Sequence, residues 1–214
     1  MKIPSYYRKG FESWFVKLYD PFFRLCLLGK SDKSREIIAE AIPKKSGRIL
    51  DMATGTGEVA ACIKEKLPNA EVFGIDLSEM MLSIAKDKAA RKNINIKFMQ
   101  RNVESTGFKK DYFDAVTISF ALHEMPHENR LNVIKEARRV LKKNGCFIIV
   151  DFYEPKGSIM RMLLKTHIRL LEPDYASTII QEDFARELKE NGFTKVKFRE
   201  YFDGLIQLIT GYKW

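Results

Sequence analysis

The sequence predicts an α/β domain in which a central, mostly parallel sheet carries helices on both faces. Three observations predict it. After residue 46, apolar runs of strand length alternate with amphipathic stretches of helix length. A glycine-rich turn joins the first such run to the first such helix in RILDMATGTGEVA. Near the end, two alternating apolar runs flank Asp203-Gly204, the mark of a β-hairpin whose last strand, Leu205 to Tyr212, must run antiparallel to its partner.

The segment before residue 47 reads as a helical cap, because Phe11, Trp14, Phe15, Leu18 and Phe22 fall at helical spacing. That stripe either packs on the core or forms a lid over an apolar substrate. Strands follow at Arg48 to Ala53, Glu71 to Asp76, Ile96 to Arg101, Phe113 to Phe120 and Gly145 to Phe152, each a short apolar run. Helices of about Gly57 to Lys66, Ser78 to Lys92 and His127 to Lys143 separate them, the second opening on Ser78 as N-cap. In GSIMRMLLKTHIRLL, Ile159, Met160, Leu163, Leu164, Ile168 and Leu171 make an apolar face, and Arg161, Lys165 and Arg169 recur every fourth residue. This basic amphipathic helix either covers the site with a solvated basic face or contacts an anionic membrane or a lipophilic acceptor. Gln181 to Glu190 is a last helix, stopped by Asn191-Gly192 ahead of the hairpin.

A chain of 214 residues suits one domain spanning 1–214, with a cap (1–46), a core (47–153) and a tail (154–214) that holds the amphipathic helix, the final helix and the hairpin. A 45% apolar and 30% charged composition excludes long disorder. The net charge of +9 favours anionic surroundings, but the Lys and Arg residues are dispersed and no stacking platform is evident, so nucleic acid is not the expected partner. Cys26, Cys62 and Cys146 form no CxxC pair and lie in apolar segments, which predicts buried, reduced thiols and no metal site. No apolar run is long enough to span a membrane and the opening MKIPSYYRKGFE lacks a signal peptide's apolar core, so the expected address is the cytoplasm, with peripheral membrane association left open.

The candidate site starts at the glycine-rich turn from Asp51 through Thr54 and Gly55 to Gly57, where backbone comes close to a nucleotide-like ligand. Gly55, Gly57 and Ala60 satisfy G-x-G-x-x-G/A and Asp76 follows at a distance suited to ribose hydroxyls, which alone does not separate NAD from S-adenosylmethionine. Asp51 separates them. A carboxylate at that turn repels a pyrophosphate, whereas it attracts the ammonium and sulfonium of S-adenosylmethionine. Leu77, Met80 and Met81 either line the adenine or fill the core, and Asn102 and Val103 after the third strand either read the adenine edge or form a turn.

Taken together, Asp51 to Gly57, Asp76, Asn102-Val103 and the strand that contains Ser119 resemble the class I methyltransferase family over Gly47 to Phe152. The resemblance implies a Rossmann-like, seven-stranded sheet of order 3-2-1-4-5-7-6 with the seventh strand antiparallel, and it places Ser119 and Phe120 near the methionine moiety. LYDPFFRL, TISFAL and GLIQLITGYKW look like the ubiquinone/menaquinone biosynthesis C-methyltransferases. That likeness maps the family's tyrosine-aspartate pair to Tyr19-Asp20, making Tyr19 a candidate to close over the cofactor. Where those enzymes typically show Gly-Leu-Arg-Asn, this chain has Ala121-Leu122-His123-Glu124, so His123 replaces an arginine.

Methyl transfer is a displacement that mainly needs alignment and exclusion of water. An acceptor that loses a proton is served by a group titrating near neutrality, and His123 after the fourth strand is the candidate, with Glu124 and His127 as alternatives. Asp151 and Tyr153 at the end of the fifth strand either touch the acceptor or cap the strand. The expected function is S-adenosylmethionine-dependent methyl transfer to a small, lipophilic acceptor such as a prenylated quinol. RNA or protein methylation, a non-catalytic S-adenosylmethionine binder and an NAD oxidoreductase are the alternatives. The oligomeric state is not legible in the sequence.

Overall fold

The computed structural model describes residues 4, 20–21, 27, 29–158, 161–162 and 183–214. The N-terminal aromatic stripe, Tyr19, Cys26 and most of the basic amphipathic segment lie outside the described residues. In chain order the elements are α1 (Ser31–Ala41), β1 (Arg48–Met52), α2 (Glu58–Lys66), β2 (Glu71–Asp76), α3 (Glu79–Arg91), β3 (Lys97–Gln100) and β4 (Phe113–Ser119). A 3-10 turn at Leu122–Glu124, α4 (His127–Val140), β5 (Leu141–Phe152), α5 (Phe184–Glu190), β6 (Phe193–Tyr201) and β7 (Ile206–Lys213) complete them.

The seven strands form one sheet of order β3-β2-β1-β4-β5-β7-β6. Strands β1 to β5 pair in parallel, and β7 runs antiparallel to both β5 and β6. Alternate residues of the central strands feed opposite faces. Ile49, Ile148 and Val150 join Ile37 and Ile38 of α1 and Ile63 of α2 in one apolar layer. Leu50, Phe147 and Ile149 join Val133, Ile134 and Ala137 of α4 and Phe184 and Leu188 of α5 in the other. Each such Val, Leu, Ile or Phe side chain, fully buried, contributes about 1.5–3 kcal/mol. Burial on both faces is why these strands read as nearly continuous apolar runs.

Outer strand β6 is mostly exposed and carries charged residues, which discourages pairing at that edge. Its hairpin with β7 turns through Phe202, Asp203 and Gly204, all at positive φ. A Cβ at Gly204 would stand 2.6 Å from the Glu154 carbonyl oxygen, so only glycine fits. Backbone bonds from Tyr153 to Leu205 (3.0 Å) and from Lys156 to Asp203 (2.9 Å) fasten the hairpin turn to the chain leaving β5.

Three boundaries differ from expectation by more than a residue or two, among them the start of α5 at Phe184 instead of Gln181. Helix α4 ends at Val140, and Leu141 already pairs with Phe113 as strand. Leu141 is fully buried, and the Lys142 ammonium meets Asp114 at 2.7 Å, so two tertiary contacts overrule the helical pattern of LKK. Cys146 is buried as expected, with its thiol pushed up to about 11 by burial, whereas Cys62 is only half-buried because α2 turns Ala60, Ala61 and Ile63 inward instead.

Candidate functional site

Strand β1 ends where the chain must turn sharply into α2. Ala53, Gly55 and Gly57 take φ of 53°, 53° and 78°. The two glycines do different work. A Cβ at Gly57 would stand 2.8 Å from the Ala85 side chain and 2.9 Å from Phe98, so this residue permits close packing of α2 on α3 and β3. At Gly55 nothing lies within 4 Å of that position, which leaves open space at the tip of the turn. Gly57 is therefore placed as a packing residue and Gly55 as a residue a ligand can approach.

Asp51 is 1% exposed and anchors the turn. Its carboxylate accepts hydrogen bonds from the Thr54 hydroxyl (2.6 Å) and from the Thr117 hydroxyl of neighbouring β4 (2.7 Å). Burial pushes the Asp51 carboxyl up to about 6, against the pull of the two threonine hydroxyls, and nearby Asp76 adds to the rise. Thr117 escaped the sequence reading, although a hydroxyl in the apolar run DAVTISF was the available signal.

Asp76 sits at the end of β2 beside this turn. One oxygen accepts the Gly55 N–H (2.8 Å) and the other the Ser78 N–H (2.9 Å). Ser78 caps α3 as expected, accepting from the Met81 N–H at 3.2 Å. Leu77 and Met81 are both half-buried, and the Leu77 carbonyl accepts from Gln100 at 2.8 Å. The Asn102 side chain accepts from the Glu104 N–H (2.8 Å) in a tight turn beyond β3, and Val103 is buried against the second apolar layer. Ser119 ends β4, half-buried, and Phe120 follows at φ 49°.

Asp20 was not singled out as a site residue, yet its carboxylate accepts the Thr56 hydroxyl of the glycine-rich turn at 2.7 Å and pairs with Lys88 of α3. Lys88 also pairs with Glu58 at 2.6 Å. Asp20 thus ties the residue that follows Tyr19 in sequence to the turn.

His123 lies in the 3-10 turn after β4, 2% exposed, with Nδ1 2.7 Å from Asp151 Oδ1. The alternatives are placed differently. Glu124 is half-exposed, and His127 places Nδ1 3.2 Å from both Glu187 of α5 and the Arg130 guanidinium. Among the described residues no group of three His, Cys, Asp or Glu side chains can hold a metal ion, and no helix is long and apolar enough to cross a membrane.

Residues 49–145 match the family model described as a methyltransferase domain. The ubiquinone/menaquinone biosynthesis C-methyltransferase UbiE of Rhizobium rhizogenes is 30% identical over 92% of this chain and 85% of its own length. The chain belongs to this family of class I S-adenosylmethionine-dependent methyltransferases. A demethylmenaquinone methyltransferase of Thermotoga maritima is 30% identical over 90% of each chain. A solved S-adenosylmethionine-dependent methyltransferase of Aquifex aeolicus superposes with a TM-score of 0.70 at 18% identity, covering 93% of this chain and 97% of its own, which speaks to the fold. The methyltransferase is thus an enzyme whose methyl donor is S-adenosylmethionine.

Proposed function

We propose that this methyltransferase moves a methyl group from S-adenosylmethionine to a ring carbon of a small, lipophilic, phenol-type acceptor such as a prenylated quinol. The observation that carries this reading is the similarity, over nine-tenths of the chain, to enzymes named for quinone methylation. The open tip at Gly55 beside the cation-seeking Asp51 supports it, because these features suit a donor with an ammonium and a sulfonium.

In this reading Asp51, with Thr54 holding it, attracts the donor's ammonium. Gly55 lets the donor approach the backbone, and Gly57 keeps the turn tight. Asp76 accepts from the ribose hydroxyls, Leu77 and Met81 flank the adenine, and Asn102 and Val103 border its edge. Ser119 borders the methionine moiety, Tyr19 closes over it from the residue next to Asp20, and His123 serves the acceptor. When bound, the donor supplies an electrophilic methyl group on a sulfonium, so the protein's task is alignment and exclusion of water. The basic amphipathic segment after residue 157 would bring the enzyme to an anionic membrane where a prenylated acceptor resides.

The test is calorimetric titration with S-adenosylmethionine and its demethylated product, followed by transfer of labelled methyl to prenylated quinols, to RNA and to protein substrates. Micromolar donor binding and label on the quinol ring are expected. Label only on RNA or protein, or donor binding without transfer to any acceptor, would overturn the reading.

A further inference from the structure

Asp151 is fully buried near the end of β5, and its four hydrogen-bond contacts all come from nitrogen. Oδ2 accepts the backbone N–H of Leu122 (3.1 Å) and of His123 (3.2 Å), while Oδ1 accepts that of Phe152 (2.8 Å) and faces His123 Nδ1 at 2.7 Å. An acceptor-only oxygen gives the neutral imidazole its tautomer: the hydrogen sits on Nδ1 and the lone pair on Nε2. The Phe152 ring packs edge-on against the imidazole with centroids 5.1 Å apart, and Phe120 packs on Phe152 at 5.2 Å, which fixes the plane of the ring. Among the described residues Glu124 also faces the imidazole, 3.9 Å from Nε2 and 54% exposed.

The pair sits on the ligand-bearing edge of the sheet. Asp51 pairs in register with Thr117 and Thr117 with Ile148, so Asp151 lies two strands across and three residues further along. Strand geometry makes that separation roughly 14 Å between Cα atoms. An ordinary strand-end carboxylate points to water; this one spends three of its four contacts on the loop that carries His123.

We propose that Asp151 is a positioning residue that holds His123 as the general base for the acceptor's hydroxyl, so that the enzyme selects acceptors with an ionisable ring hydroxyl. The inference rests on the phenol-type acceptor proposed above. As the hydroxyl proton passes to Nε2, the ring carbon gains the methyl and sulfur keeps the electron pair of the broken bond. The resulting ring ketone then loses the proton from that carbon and regains one at oxygen from the imidazolium. One proton leaves to solvent per methyl transferred. Asp151 and Glu124 offset the charge of the transient imidazolium.

The experiment has one readout that needs no turnover. Nitrogen-15 spectra of histidine-labelled protein, with His123→Gln to assign the signal, are expected to show an Nδ1–H tautomer in the wild type. They should show an Nε2–H tautomer in Asp151→Asn, whose amide donates to Nδ1. In methyl-transfer assays at saturating donor, both Asp151→Asn and His123→Gln should lower kcat by about 100-fold or more and remove the acidic limb of the kcat–pH profile. Donor affinity by calorimetry should stay unchanged. The loss should shrink for phenolic acceptors acidic enough to be ionised already. An Nε2–H tautomer in the wild type, an unchanged pH profile, or an equal loss for ionised and neutral acceptors would show a loop staple and overturn the proposal. If Asp151→Asn does not fold, His123→Gln with the acceptor series decides alone. A wild-type enzyme that methylates no phenolic acceptor overturns the functional reading and this proposal together, whereas active variants with an unchanged profile overturn this proposal only.

Discussion

Replacing Asp51 by asparagine should make the ligand-free enzyme more stable and a poorer binder of its donor. The carboxyl rises from 3.8 to about 6 on folding. A shift of about two units corresponds to about 3 kcal/mol by which ionisation at this site disfavours the folded state at neutral pH. Asparagine removes that cost and retains both threonine contacts, one accepted by its carbonyl and one donated by its amide to a hydroxyl that can rotate. Weaker neutral hydrogen bonds return about 1 kcal/mol. A net gain of about 2 kcal/mol raises Tm by roughly 4–8 °C for a chain of this size. The sign with pH follows from the folded state holding its proton to higher pH than the unfolded chain. The cost is complete above about pH 6 and absent below the ordinary value of 3.8, so the advantage of the variant should narrow as pH falls through 6. Donor affinity should fall by about 10- to 100-fold, the worth of a hydrogen bond to a charged group. Wild-type binding near pH 6 should also release a proton that the variant does not. Thermal unfolding between pH 5 and 8, with calorimetric titration at pH 7.5, measures both. A variant less stable than wild type at pH 7.5, or a stability gap independent of pH, would refute the claim that burial strains this carboxylate. An unchanged donor affinity would remove Asp51 from the site.

The glycines of the turn should separate packing from binding. Gly57→Ala should lower stability by about 2–4 kcal/mol, the sum of a left-handed backbone and an overpacked contact with Ala85 and Phe98; Gly55→Ala should cost only about 1 kcal/mol yet weaken donor binding, as chemical denaturation and titration would reveal. Glu136 accepts the Thr106 N–H and hydroxyl at 2.8 and 2.6 Å, and despite burial its carboxyl is held below the usual range by Arg139 and Thr106. The stabilisation it supplies is complete above the unfolded value near 4.5 and is lost as pH falls through the lower folded value. Glu136→Gln should therefore destabilise the enzyme by about 1–2 kcal/mol at pH 7 and by progressively less under acid, read from urea unfolding. Thr117→Val should leave the strand in place but deprive Asp51 of a hydrogen bond, raising its titration further and moving the pH onset of donor binding upward, which pH-dependent titration would detect.

The geometry of the candidate site was legible where its residues lie at the end of a strand and the start of a turn, because such places are marked locally. Asp51, Gly55, Gly57 and Asp76 are each spelled by one short motif, and the structure brings them together through the Gly55 N–H to Asp76 bond. Asp20, Thr117 and Asp151 had weaker marks because their roles depend on partners far along the chain: Thr56, Asp51 and His123. A lone threonine in a strand or an acid at a strand end looks alike in sequence whether it faces water or a buried partner.

The sequence by itself determined the alternation of strands and helices, the antiparallel hairpin around Asp203-Gly204 and the glycine-rich turn, since each depends on local periodicity, capping or positive φ. Tertiary structure decided what those elements do to one another. It ended α4 at Val140 so that Leu141 could fill the core, divided the two glycines into a packing residue and an open one, and buried Asp51 deeply enough to change its titration. It also closed Asp151 onto His123. These outcomes depend on burial and on contacts between distant segments, which only the folded chain supplies.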